Sequence, residues 1–161
     1  MDSIPSQSRR QDVPNNHNDQ WRVMSTCSKS EMQQFFIGPH VCSYEPPDLM
    51  VVDFHGRLEV EHLTEFLRRR NILLEGQSRI LTLLVLHDMQ ELSPEVRRVM
   101  SRTRDPRPQA TAVVGARYRT RVLTEFIVKS MRFFTGKIIM LGFFDDIGQS
   151  REWLRQMRER L

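Results

Sequence analysis

A chain of 161 residues, 39% hydrophobic and 27% charged, is long enough to bury one core and has the composition of an ordinary soluble globular domain. Its longest nearly apolar run, ILTLLVL at 80–86, falls far short of the roughly 20 residues of a membrane span, and the first residues lack a basic-then-apolar export pattern, so a cytoplasmic protein is expected. The net charge is +4. Residues 1–34 balance Arg9, Arg10, Arg22 and Lys29 against Asp2, Asp12, Asp19 and Glu31, so the excess lies in residues 35–161.

Residues 1–34 are rich in Ser, Asn, Gln and Asp and have almost no apolar periodicity. Such a segment cannot bury enough surface to offset its chain entropy, and it reads as a disordered polar tail before a domain at 35–161. Met24, ahead of STCSKS, is an alternative candidate start. HVCSY (40–44) and LMVVDF (49–54) are β-rich runs separated by EPPD, which keeps two prolines out of either strand interior; they read as an antiparallel hairpin. EVEHLTEFLRRRNILL puts Leu63, Phe66, Leu67 and Leu74 on one helical face, with acids early and Arg68, Arg69 and Arg70 late, an order that suits the helix dipole.

RILTLLVL (79–86) is the continuous apolar run of a central strand covered on both faces. In SPEVRRVMSRT, Ser93 is placed as an N-cap and Pro94 as the first helical residue, and DPRP (105–108) ends that helix. ATAVVGA (110–116) is the next strand. RVLTEFIVKSMRFF (121–134) is strongly amphipathic, Gly136 suits its C-cap, and KIIMLGFF (137–144) is the last strand. DDIGQSREWLRQMRERL closes as a helix with Ile147, Leu154, Met157 and Leu161 at helical spacing. The order β-β-α-β-α-β-α-β-α predicts an α/β fold: a mixed, mostly parallel five-stranded sheet with an antiparallel edge hairpin and right-handed crossovers.

That order, together with VVDFHGRL, LTLLVL, AVVGARYRTRVLTEF and the closing FFDDIGQSREWL with Trp153-Leu154, resembles the STAS superfamily, within it the SpoIIAA-like (STAS/SEC14) group, over about residues 40–158. The resemblance implies a compact module that works by binding protein partners rather than by turnover. Its best-known members switch partners when a serine at the start of the second helix is phosphorylated. The family's Asp-Ser-Ser-Gly run would fall just after LTLLVL, where this chain reads His87-Asp88-Met89-Gln90.

Ligands of open α/β sheets gather beyond the carboxyl ends of the strands. That places His55, His87-Asp88, Gly115-Ala116-Arg117 and Asp145-Asp146 along one edge. A protein partner there would meet His87, Asp88, Ser93, Arg97, Arg117, Arg119 and Arg121. Ser93 reads first as a helix cap; a phosphate on it would lie against helix amides and near Arg97, which makes a phosphorylation switch the alternative.

A metal needs three or four convergent ligands. Asp53 and His55 share a strand face but His87 and Asp88 do not, so no metal or other cofactor is expected. Cys27 and Cys42 lack ligand spacing and read as reduced thiols. Without a G-x-S-x-G elbow or a P-loop, no reaction is expected, and an enzyme is the third reading.

Between 97 and 121 eight arginines stand against Asp105 alone. Arg102, Arg104 and Arg107 precede a strand that Arg117, Arg119 and Arg121 follow, on the order of 20 Å away, so they form no single patch. Without interleaved aromatics to stack bases, nucleic acid is not expected. Phe133, Phe143 and Phe144 exceed what one core face requires. The SEC14-related resemblance implies an apolar ligand pocket or a homodimer contact there, and a lipid or small apolar-ligand carrier is the second functional reading.

Overall fold

A computed structural model describes residues 31–87, 92–103, 105–118, 121, 122, 125 and 139–161. Most of the polar tail, most of the helix expected over 121–134, and Asp88, Arg104, Arg119 and Phe133 lie outside them.

The chain is α/β, and its described residues form one mixed sheet of six strands in sequential order. They are β1 (Gln33–Ile37), β2 (His40–Glu45), β3 (Leu49–Phe54), β4 (Ile80–Leu86), β5 (Gln109–Val114) and β6 (Ile139–Phe144). The expected hairpin is β2–β3, antiparallel, and β3 to β6 run parallel. The sheet has one strand more than the sequence predicts. QQFFI pairs antiparallel with β2, with Phe35 and Ile37 buried and Phe36 67% exposed. Its two leading glutamines disguise a strand whose alternation starts only at Phe35. Gly38, at φ 55 in the two-residue turn Gly38-Pro39, supplies the positive φ that a tight hairpin favours.

Among the described residues, three helices with defined bounds pack on the sheet: α1 (Val60–Leu73), α2 (Pro94–Arg102) and α3 (Ile147–Arg160). Side chains alternate along the strands. Met50, Val52, Phe54, Ile80, Leu86 and Val113 pack toward Leu63 of α1 and Val96 of α2. Leu49, Leu81, Leu83, Val85, Ala110 and Ala112 pack toward Leu154 and Met157 of α3. Covered on both faces, β4 needs the uninterrupted apolar run seen in its sequence. Ile147, expected among the buried positions of α3, is instead 44% exposed in its first turn.

Ionic groups close the amino edge. Buried Asp48, just before β3, meets Arg79 at 3.3 Å and Arg158 of α3 at 2.7 Å, and Arg79 also bonds the Arg158 carbonyl. Arg151 of α3 makes a two-bonded pair with Glu45, both at 2.7 Å. Of the triple arginine, Arg68 and Arg69 pair with Glu65 on the helix surface. Arg70 goes inward to Asp105 at 3.4 Å, and Arg107 joins the same carboxylate at 2.7 Å while donating to the Leu74 carbonyl. No nucleic-acid surface is needed to account for Arg107.

Cys42 is buried on β2, and that burial pushes its thiol pKa up to about 12. In the native protein at pH 8 the nucleophilic thiolate is therefore absent. Mass-spectrometric alkylation should show Cys42 modified only at the rate of opening, and rapid labelling of the native fold would contradict this packing.

Candidate functional site

The parallel register brings the carboxyl ends of β3, β4 and β5 side by side, with Asp53 opposite Val85 and Val85 opposite Val114. At Gly115 (φ 77) a β-carbon would lie 2.5 Å from the Leu86 carbonyl oxygen. The turn leaving β5 therefore rests directly on the end of β4, and only glycine fits there.

Asp53 lies one residue before the end of β3, on the face that α3 covers over β4, β5 and β6. His55 lies two residues further on. His87, the first residue after β4, falls beside it because the two strands are in parallel register. The imidazole rings stack with centroids 5.0 Å apart and 15° between planes. Nε2 of His87 is 2.8 Å from Asp53 Oδ1, and Nε2 of His55 is 3.5 Å from the same oxygen. That oxygen is shielded from solvent, yet no donor N–H is aligned on it, so the short separation to His87 is proximity without a hydrogen bond. Both imidazoles are about half exposed, with side chains 44% and 49% accessible.

Beneath the cluster, the His55 N–H donates to Nδ1 of buried His40 at 3.3 Å. Burial, and then the neighbouring His62 and His55, hold the His40 pKa below its ordinary value, which keeps the ring neutral and able to accept. Asp53 and His55 were legible as sharing a strand face. Their meeting with His87 depends on the β3–β4 register, which no local pattern encodes.

Ser93 is the N-cap of α2: its hydroxyl accepts from the Val96 N–H at 3.2 Å, with Pro94 as first helical residue. Hydrogen bonds from its own backbone N–H and then from Ser93 hold the Glu95 carboxyl below its usual range, so a negative charge already occupies this helix end. Arg97 is half-buried, while Arg117 and Tyr118 are exposed beyond β5, Tyr118 at 81%. Arg121 is engaged internally: it donates to the Ala116 carbonyl at 3.0 Å and to Asp145 at 2.7 Å, with its guanidinium 5.8 Å from the Phe143 ring centroid.

Tyr118, Val122 and Ile147 are exposed apolar side chains beyond the ends of β5 and β6. Phe143 packs with the α1–α2 core, and Phe144 packs against Trp153 of α3 at 5.5 Å between centroids. A cavity between the sheet and α1, lined by Ile37, His40, Cys42, Phe54, His62 and Phe66 among others, has a volume of about 10 Å³. That is room for about one water, not an acyl chain.

No family model, no curated protein and no solved structure matches the chain. Among the described residues, no helix is long and apolar enough to cross a membrane.

Proposed function

We propose that this chain is a non-enzymatic regulatory module of the STAS/SpoIIAA-like kind, which docks a protein partner at the carboxyl edge of its sheet. The observation that carries the reading is the contact of Gly115 with the end of β4. It sets the turn after β5 against the end of the neighbouring parallel strand β4 and joins the two strand ends into one rim. On that rim Arg117 and Tyr118 offer a cation and an aromatic ring, a combination typical of residues that anchor protein interfaces. The partner that suits these groups is a protein surface with a carboxylate and an apolar pocket. Ser93 serves this function as the cap that holds α2 beside the rim, with its hydroxyl already engaged by Val96 and Glu95.

The test is co-purification from the protein's own host. A partner held in stoichiometric amount by the wild type should be lost with Arg117→Glu and with Tyr118→Ala. It should be retained with Arg102→Glu, a charge reversal of an exposed residue at the far end of α2. Loss of a single protein of this kind typically means at least ~10-fold weaker binding for an aromatic or arginine anchor. Equal loss with Arg102→Glu, or none with the rim variants, would remove the carboxyl edge as the docking surface.

A further inference from the structure

Asp53, His55 and His87 stand closer to one another than a docking rim requires. We infer that they form a binding site for a divalent transition-metal ion of the zinc type. A metal bound tetrahedrally by imidazole nitrogen and carboxylate oxygen at about 2.0–2.1 Å holds those ligand atoms about 3.3–3.4 Å apart. Here the carboxylate oxygen lies 2.8 Å and 3.5 Å from the two Nε2 atoms, bracketing that range, and one ligand atom from each of the three residues lies within 4.8 Å of the others. The stacked rings bring the histidines in from adjacent strands with nearly parallel planes.

The second observation is the state of Asp53 Oδ1. A solvent-shielded carboxylate oxygen ordinarily accepts a hydrogen bond. This one has imidazole nitrogens at 2.8 Å and 3.5 Å but no N–H directed at it, an arrangement that a shared cation satisfies. Strand register supplies rigidity, because Asp53 and His55 are separated by one residue on the same side and His87 is held by its own N–H to the Phe54 carbonyl at 3.3 Å.

The donor set selects the metal. Two imidazoles and one carboxylate suit zinc, cobalt, nickel or ferrous ions and disfavour calcium and magnesium, which prefer all-oxygen shells. Three protein ligands with half-exposed histidines leave at least one coordination position facing solvent, as in open rather than closed zinc sites. That position would take water or a single donor atom from another molecule.

The experiment is a titration of the chelator-stripped full chain with zinc and, separately, with cobalt(II), whose visible absorption reports nitrogen–oxygen coordination. One ion per chain should bind, with the cobalt spectrum of a four- or five-coordinate site. Asp53→Asn and His55→Gln should each weaken zinc by at least about 10–100-fold, and His87→Gln likewise. His62→Gln, whose ring lies on the other face of the sheet near His40, should leave affinity unchanged. Far-ultraviolet dichroism of each variant separates ligand loss from unfolding, and zinc should raise the melting temperature of the wild type but not of Asp53→Asn. Failure of the wild type to bind zinc or cobalt, or wild-type affinity in the three ligand variants, overturns the site. No partner is present in this titration, so either result leaves the docking test to stand or fall by itself.

Discussion

Asp105→Ala should cost about 3–5 kcal/mol of unfolding free energy in urea at pH 7. Arg70 and Asp105 are 7% and 6% exposed, so removing the carboxylate strands a guanidinium inside the protein. The same carboxylate accepts from Arg107 Nε at 2.9 Å, from its Nη2 at 2.7 Å and from its backbone N–H at 3.1 Å. Through Arg107 it also holds the Leu74 carbonyl at the end of α1. Hydrogen bonding from Arg107 keeps the Asp105 carboxyl below its ordinary range. A depressed folded-state value means that the stabilisation is fully present above the unfolded pKa, about 3.9, and is lost as pH falls through the lower folded value. The gap between wild type and Asp105→Asn should therefore be constant near neutrality and close below about pH 4. A gap at pH 7 within 0.5 kcal/mol of zero (roughly the scatter of a neutral surface substitution) would contradict the burial of this pair.

Gly115→Ala should be the other large loss. The left-handed backbone at φ 77 costs an alanine about 1–2 kcal/mol, and a β-carbon 2.5 Å from the Leu86 carbonyl oxygen must push two strand ends apart, for about 1–3 kcal/mol more. Gly56 is the internal control. Its φ is 67, but a β-carbon there meets nothing within 4 Å. Gly56→Ala should show the conformational cost alone, and the difference between the two variants in urea melts isolates the contact. Equal losses would mean that the turn after β5 does not rest on β4.

The fold was legible wherever local chemistry decides it. Proline and charge marked the β2–β3 turn, Ser93-Pro94 marked the start of α2, and an unbroken apolar run marked β4 as a doubly covered strand. β1 escaped because half of a short edge strand can face water, as Gln34 and Phe36 do, and a glutamine, Gln33, stands at the first inward position. Arg70 read with Arg68 and Arg69 as a late basic run suited to the helix dipole, because its partner, Asp105, is 35 residues away. The rim residues Ser93, Arg97 and Arg117 follow from topology, whereas Asp53 and His55 by themselves fall one ligand short of a cluster. Only the one-to-one register of β3 with β4, fixed by long-range packing, turns two neighbours and a distant histidine into a cluster.

The clasp of α3 onto the opening of the sheet has a bearing on biosynthesis. Every strand pairs with its predecessor, so the sheet can assemble stepwise as the polypeptide emerges from the ribosome. Until α3 arrives, however, Asp48 lacks the Arg158 guanidinium and Leu81, Leu83, Ala110 and Ala112 lack the Leu154 and Met157 side chains that pack on them. The nascent domain thus carries a sticky, half-finished surface until α3 is translated.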